Sequence, residues 1–422
     1  MALFGGKKKV IISGMLGNGL EWYDYALYGH MSIVFSKLFF AEGQANSLIL
    51  TFLIFAAGFI SRPLGAVFFG RLGDKLGRKK ALTASMMMMA IPTGCIGLLP
   101  TYEMIGIAAP IGLLIIRVLQ GISLGGAYSG SISYVVEHAP PDQRSTVGSV
   151  IKLSLVFGFL AGSLVSTLVS SVLSEADFYS WGWRLPFFVG VGIGFVGYYI
   201  RHHGEESPVY EKAKKDGTLS ASPVRDAFFK YPQKMLQAFF AYLFVTIPFY
   251  TVAIYMIAYS EKHLGLSEEH ALLINSIAMA SMLLLIYPAA RIADKIGRRA
   301  VLMSAIIAML IAIYPAFLLM NTGDFYNILI AQIILAVIVG WYLAPMPAVL
   351  VEIFPTSIRY SGMSLSYNLC AILGGLTPAV AEWLIVGNAD KSAAFWPLAA
   401  SGVLSFIALY FYKDKWREPL PS

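Results

Sequence analysis

The chain has 422 residues, of which 57% are hydrophobic and 13% are charged, against about 25% charged in an average soluble domain. This composition excludes a soluble enzyme, a nucleic-acid-binding domain and a disordered scaffold. Regular alternation of apolar and polar residues is missing, which excludes an outer-membrane barrel. The net charge of +7 comes from loops between apolar segments and implies no nucleic-acid partner.

Twelve apolar segments follow one another, each long enough to cross about 30 Å of hydrocarbon as a helix. They cover residues 10–37, 46–69, 80–100, 104–136, 145–173, 184–202, 235–259, 268–289, 300–320, 326–350, 361–386 and 394–412. We therefore predict an all-α membrane protein with twelve transmembrane helices. Most Lys and Arg residues lie in the termini and in alternate loops, and only Lys37, Lys262 and Lys391 lie in loops on the other side. This bias predicts that both termini are cytoplasmic.

The first segment places Asn18, Glu21, Asp24 and Tyr28 on one helical face. An ionisable group deep in a span costs about 2.5–3.5 kcal/mol, so such groups are functional candidates. We expect this face to line a cavity. A carboxylate held away from water can take up a proton near neutral pH, which makes these two acids candidates for proton coupling.

The fourth segment carries polar residues at helical spacing, namely Arg117, Gln120 and Tyr128. We predict that they line the same cavity, although the neighbouring glycines Gly121 and Gly125 also permit an interpretation as helix packing.

Lys152 lies about ten ångströms into the fifth segment, at about 1.5 Å per residue. With Arg117 it gives the predicted cavity two positive charges, which favours an anionic substrate. Two alternatives stay open, because the lysine could extend to the cytoplasmic surface or pair with Glu137.

The second half of the chain offers aromatic and amide groups but almost no charge in its spans. We expect Tyr250, Tyr367 and Asn368 to supply walls and hydrogen bonds to the substrate. Pro345 in the tenth segment and Pro378 in the eleventh are expected to bend or break their helices.

A ten-residue pattern occurs twice. Gly70–Lys79 follows the second segment, Ala290–Arg299 follows the eighth, and Asp74 and Asp294 are 220 residues apart. The repeat divides the chain into a six-helix half at 1–203, a loop at 204–234 and a second six-helix half at 235–422. Such halves suggest a substrate site between them near the membrane midplane.

The repeated loop resembles the signature of the major facilitator superfamily. Segments Gly17–Tyr25, Arg62–Ala66 and Glu352–Gly362 resemble its metabolite:proton symporters, which include proline/betaine, shikimate, citrate and α-ketoglutarate transporters. The resemblance implies that Asp24 takes the proton and that Arg117 alternates between Asp24 and substrate. A permanent ion pair between these two residues, or Glu21 as the proton site, remains open.

The resemblance also implies a cytoplasmic latch that stabilises the outward-facing state. Its predicted residues are Gly70, Asp74, Gly77, Arg78, Glu137, Arg144, Asp294, Arg298 and Arg359. The alternative is a basic anchor that only sets the topology.

These observations predict a proton-coupled secondary active importer of a small polar metabolite, an organic acid or other anion, working by alternating access. The alternatives are a symporter of zwitterionic osmolytes of the proline/betaine type, a drug/proton antiporter, or a sensor that no longer transports. The antiporter is disfavoured because Gly158–Gly162 in the fifth segment lacks proline. No residue set suits an enzyme, a metal or a cofactor. We expect a monomer in a bacterial inner membrane, with substrate, protons and lipid as its partners.

Overall fold

The computed structural model of the chain describes residues 8–65, 68, 78–125, 132, 135–137, 139–202, 229–355, 358–388 and 390–420. All regular secondary structure in this described part is helical. The first half contains α1 Lys8–His30, α2 Ser32–Leu38, α3 Ser47–Ile60, α4 Arg78–Leu98, α5 Tyr102–Ile105, α6 Ala108–Leu124, α7 Arg144–Val172, α8 Glu175–Ser180 and α9 Leu185–His202. The second half contains α10 Pro232–Tyr250, α11 Met256–Lys262, α12 Glu268–Ile296, α13 Arg298–Met320, α14 Phe325–Leu343, α15 Met346–Ile353, α16 Arg359–Asn388 and α17 Phe395–Tyr410.

Helices occupy the described parts of all twelve predicted apolar segments. Eight stretches of the described residues are both long and apolar enough to cross a membrane. They are Ser47–Gly65, Pro141–Val172, Pro232–Lys262, Glu268–Ile296, Arg298–Met320, Phe325–Ile353, Gly362–Asn388 and Lys391–Tyr410. Large apolar side chains such as Leu284 and Ile311, 78% and 70% exposed, cover the outer surface. Such a surface suits lipid rather than water.

Helix ends follow local chemistry. Side-chain oxygens of Ser174, Ser267 and Asp324 accept backbone N–H groups in the first turns of α8, α12 and α14, which satisfies donors that a helix start leaves unpaired. Between α12 and α13 the chain turns at Gly297, whose φ of 101° favours glycine.

Prolines interrupt two of the long helices. The predicted break at Pro345 is present, because α14 ends at Leu343 and α15 begins at Met346. Pro378 does not break α16, which continues through it. Three residues after Pro248, the chain forms a π-helix over Thr251–Tyr255 before α11, a widening that often marks functional segments.

Helices α3 and α6 touch through their backbones. A methyl group added at Gly121 would lie 1.8 Å from the carbonyl oxygen of Gly58, so only glycine permits this approach. The Ser61 hydroxyl on the chain following α3 donates to the Val118 carbonyl of α6 at 3.0 Å. Such contact between small residues is a common way to pack helices in a membrane.

The two halves meet along two helix pairs, α7 with α12 and α3 with α16. Between them lies a cluster of aromatic rings from both halves. The Phe59 ring packs edge-on against Tyr250 at 5.1 Å, and Phe159 packs against Phe249 at 4.9 Å. The candidate site surrounds this cluster.

Candidate functional site

Asp24 lies buried on α1 and accepts hydrogen bonds from two other helices. Its Oδ2 accepts from Gln120 Nε2 at 2.7 Å, and its Oδ1 accepts from the Thr93 hydroxyl of α4. Arg117 Nη1 donates to Gln120 Oε1 at 2.7 Å. Asp24 and Arg117 therefore form no direct hydrogen bond in this conformation, and the proposed alternation of Arg117 between Asp24 and substrate stays a prediction. The Gln120 amide lies between them and connects the acid to the cation through two hydrogen bonds.

Arg117 is held mainly by aromatic rings. Its side chain is fully buried, and its Cζ lies 4.3 Å from the ring of Tyr25, 4.6 Å from that of Tyr28 and 5.2 Å from that of Phe55. Rings at these distances stabilise a guanidinium through their negative faces. Nε and Nη2 have no hydrogen-bond partner, so one edge of Arg117 retains binding capacity.

The other predicted residues of α1 are also buried, as expected for a face turned inward. Asn18 Nδ2 donates to the Ser154 hydroxyl of α7 at 2.8 Å, and Asn18 Oδ1 accepts from Trp22 Nε1 at 3.1 Å. The Tyr28 hydroxyl donates to the Thr51 carbonyl at 3.0 Å. In this conformation Asn18 and Tyr28 join helices rather than offering unused polar atoms.

Lys152 is completely buried and crosses from the first half to the second. Its Nζ donates to the Tyr242 hydroxyl of α10 at 2.7 Å. The side chain of Lys152 does not extend to the surface in this conformation, and Glu137 pairs with Arg359. Burying an ammonium group is costly unless the group is paired.

The predicted residues of the second half lie in the same region. Tyr250 and Tyr367 are buried, and the Tyr367 ring packs edge-on against Tyr242 at 5.5 Å. Asn368 is buried, and its Nδ2 lies 3.4 Å from the Ser364 hydroxyl. Tyr128 lies outside the described residues.

Arg62 belongs to this region although the site prediction omitted it. It is 1% exposed, and its Nη1 donates to the Tyr367 hydroxyl at 2.9 Å. The rule that selected Arg117 and Lys152, an ionisable residue inside an apolar segment, also applies to Arg62. Sequence reasoning used this arginine only as part of a family resemblance.

One end of the molecule, which we call the latch end, carries ion pairs between the halves. Arg144 pairs with Glu352 at 3.2 Å and Arg359 pairs with Glu137 at 2.8 Å. Arg298 of the second half reaches the same Glu352 at 3.2 Å. Of the predicted latch residues, Arg144 and Glu137 thus contact the second half, and Glu352 is a shared acceptor that the prediction did not include.

Asp294 closes the latch end by a different contact. Its carboxylate, at the end of α12, accepts the backbone N–H groups of Ser145 and Thr146 at 2.9 and 2.8 Å, and the Thr146 hydroxyl at 2.7 Å. A negative charge at the start of α7 also stabilises the helix dipole. The backbone of Gly70, Asp74 and Gly77 and the side chain of Arg78 fall outside the described residues.

The opposite end, far from the latch, also carries contacts between the halves. Lys37 Nζ donates to the Tyr179 hydroxyl at 2.7 Å and lies 3.7 Å from the Glu261 carboxylate of the second half. Burial and nearby carboxylates raise the pKa of the Tyr179 hydroxyl, which stays protonated. The Ser163 hydroxyl of α7 lies 2.7 Å from that of Ser276 on α12.

Glu382, which the prediction did not select, organises this end of the second half. Its buried carboxylate accepts from Lys262 at 2.7 Å, from the Tyr255 hydroxyl at 2.8 Å and from His263 at 2.9 Å. An acidic residue inside the eleventh segment was the available signal. The contacts hold the π-helix and α11 against α16.

Family comparisons cover both halves of the chain. Residues 10–225 match the family described as Sugar (and other) transporter, and residues 238–422 match the Major Facilitator Superfamily. The chain is 34% identical to the proline/betaine transporter of Escherichia coli K12, over 99% of this chain and 85% of that relative. The same figures hold for the glycine betaine/proline/ectoine/pipecolic acid transporter of Dickeya dadantii.

Solved structures share the fold. A proton:xylose symporter bound to a bromo-deoxyglucose superposes with a TM-score of 0.77 at 19% identity, covering 98% of this chain and 97% of that one. A D-xylose-proton symporter gives a TM-score of 0.74 at 20% identity, covering 98% of both chains. At such low identity the likeness concerns the fold alone.

Proposed function

The chain belongs to the major facilitator superfamily of transporters, not to a class of enzymes, and we propose that it is a proton-coupled importer of a small metabolite that carries a carboxylate. An organic acid is the first candidate. The observation that carries this proposal is a buried acid, Asp24, joined through Gln120 to the buried cation Arg117. Because of this arrangement, protonation of Asp24 would decide whether Arg117 stays bound to Gln120 or can bind the substrate.

Asp24 is the proposed proton carrier. While it is ionised, its Oδ2 holds the Gln120 amide, which in turn holds Arg117. Protonation removes the negative charge that attracts this amide, so Gln120 and Arg117 are released toward the substrate. The proton and an anionic substrate then cross together with little net charge, which avoids the cost of moving a bare ion through the membrane.

Positive charge in the site supports an organic acid. Arg117 and Lys152 are fully buried and would suit two carboxylate groups of one molecule. The second candidate is a zwitterionic osmolyte, which the names of the relatives favour. Aromatic rings between the halves, such as Phe159 and Phe249, would hold its ammonium group. No observation favours a drug/proton antiporter.

We further propose twelve spans in two halves, 1–203 and 235–422, joined by a cytoplasmic loop at 204–234. Both termini and the latch end would then be cytoplasmic, and the chain would act as a monomer in a bacterial inner membrane. Contacts between the halves at both ends, such as Arg144–Glu352 and Ser163–Ser276, correspond to an occluded stage of alternating access.

Proteoliposomes that contain a pH-sensitive dye test the proposal. Acetate, succinate, citrate, shikimate, proline and glycine betaine are added separately, and internal acidification is followed. Acidification with carboxylic acids supports the first candidate, and acidification with proline or betaine alone supports the second. Absence of proton flux with every compound would contradict proton symport.

Asp24→Asn separates coupling from binding. We expect this variant to retain counterflow exchange within about threefold of the wild type while losing proton-driven accumulation, because the amide cannot carry the proton. Accumulation at the wild-type level would exclude Asp24 as the carrier. Glu21→Gln provides the comparison, since Glu21 is the other acid of that face.

A further inference from the structure

Arg62 lies between the two halves, just after α3. Its Cζ is 4.3 Å from the ring of Phe59, 5.0 Å from that of Tyr25 and 5.4 Å from that of Trp22. The second half contributes Tyr367, whose hydroxyl accepts from Nη1 at 2.9 Å. Aromatic side chains of both halves therefore surround the charge, and we call this group, Trp22, Tyr25, Phe59 and Tyr367, the aromatic box.

Among the described residues Arg62 forms no ion pair with an acid. The polar groups that face the guanidinium are the hydroxyls of Tyr25, Tyr250 and Tyr367, and the acid Glu21 acts on Tyr367 rather than directly on Arg62. The buried arginines of the latch end differ, because each pairs with a glutamate. Aromatic faces compensate only part of the cost of burying a charge.

The unused donors of Arg62 lie on one edge. Nε and Nη2 are buried and form no hydrogen bond of good geometry, with the Tyr25 hydroxyl as the nearby polar group. These two nitrogens present parallel N–H groups along one side of the guanidinium plane, at the spacing of the two oxygens of a carboxylate. Because Nη1 already donates to Tyr367, the Nε–Nη2 edge is the side of Arg62 that can pair with one carboxylate.

We infer that the Nε–Nη2 edge of Arg62 binds the carboxylate of the transported molecule. This inference rests on the proposed function and deepens it, because organic acids and zwitterionic osmolytes share a carboxylate. Arg62 then recognises the group common to both classes. Lys152 and Arg117 would interact with any further charged group of the transported molecule.

The position of Arg62 gives this contact a second consequence. Its Nη1 is bonded to Tyr367 of the second half, whereas Arg117 is bonded to Gln120 within its own half. A carboxylate on Arg62 therefore lies against side chains of both halves. Binding at this point would favour the conformation in which the halves meet, so that occlusion follows substrate binding.

Two variants test the contact. Arg62→Lys keeps the charge but loses the paired donors, and Arg62→Gln loses both. In the proteoliposome assay, with the compound from the panel that acidifies wild-type vesicles fastest, we expect KM to rise at least about 10-fold for Arg62→Lys and about 100-fold for Arg62→Gln. The maximal rate of Arg62→Lys should stay within about threefold of wild type.

Arg184→Lys is the matched control. Arg184 donates to the backbone carbonyls of Gly97 and Leu99 at 2.8 and 2.9 Å, away from the site, so its substitution should leave KM unchanged. An unchanged KM in both Arg62 variants, in vesicles where the wild type transports, would overturn the inference without affecting the proposed function. Absence of transport by the wild type with every compound would instead contradict the proposed function.

A measurement on the wild type covers the case in which the Arg62 variants fail to fold. Binding of the transported acid is compared by calorimetry with binding of its primary amide, which has the same shape but no negative charge. We expect the amide to bind at least about 30-fold more weakly. Equal binding of acid and amide would exclude a carboxylate contact at Arg62.

Discussion

We propose that Lys152 helps to set the charge of the substrate. Its side chain is buried between α7 and α10, and its Nζ donates a hydrogen bond to the Tyr242 hydroxyl. A phenol stabilises an ammonium much less than a carboxylate does. In the proposed function, a second carboxylate on the substrate would bind this ammonium group.

We predict that Lys152→Gln lowers affinity for di- and tricarboxylates by about 10- to 100-fold, the value of a buried hydrogen bond to a charged group. Affinity for monocarboxylates and zwitterions should fall by less than about threefold. Competition against a labelled substrate measures both, with Tyr242→Phe as the control that keeps the charge. An equal loss for every substrate would mark Lys152 as structural.

At the scale of elements, the start of α7 depends on an acid from the other half of the molecule. Asp294 accepts two backbone N–H groups of that first turn. When the halves separate at the latch end, α7 loses this cap and its N–H groups pass to water. This helix cap is therefore also a contact between the two halves, which we expect to move relative to each other during transport.

Asp294→Ala should destabilise the closed latch end by about 1–2 kcal/mol, the usual value of an N-terminal cap. The buried Ser149 of α7, replaced by cysteine, reports on opening through its alkylation rate. We expect faster labelling in the Asp294 variant. Asp324→Ala removes the cap of α14 inside one half, so it should leave labelling at position 149 unchanged. Equal acceleration by both variants would indicate general loosening.

For the whole molecule, closure at two ends implies that transport requires each end to open in turn. Ser163 and Ser276 face each other at 2.7 Å near the opposite end. We predict that Ser163→Cys combined with Ser276→Cys forms a disulfide under oxidation and stops uptake, because α7 and α12 can no longer part. Reductant should restore uptake. Each single cysteine variant serves as a control, and full uptake by the crosslinked protein would show that this pair does not separate.

Much of the fold follows from the sequence because apolar length and charge bias are local properties. The helical apolar segments and the buried face with Asp24 could be predicted in this way, whereas the count of twelve spans and the cytoplasmic termini stay predictions. Contacts between halves could not, since Arg62 and Tyr367 are 305 residues apart and helical periodicity carries no information about such pairs. The interposed Gln120 was placed on the correct stripe, but its role depends on side-chain directions that spacing does not fix.

The backbone contact of Gly58 with Gly121 has a consequence for selection by size. It fixes α3 against α6, and these helices lead to Arg62 and carry Arg117. Both guanidinium groups also lie over the ring of Tyr25. The distance from Cζ to the ring centre is 5.0 Å for Arg62 and 4.3 Å for Arg117. Close packing therefore sets the separation of the two cations in this conformation. We expect this spacing to favour molecules whose charged groups are the same distance apart.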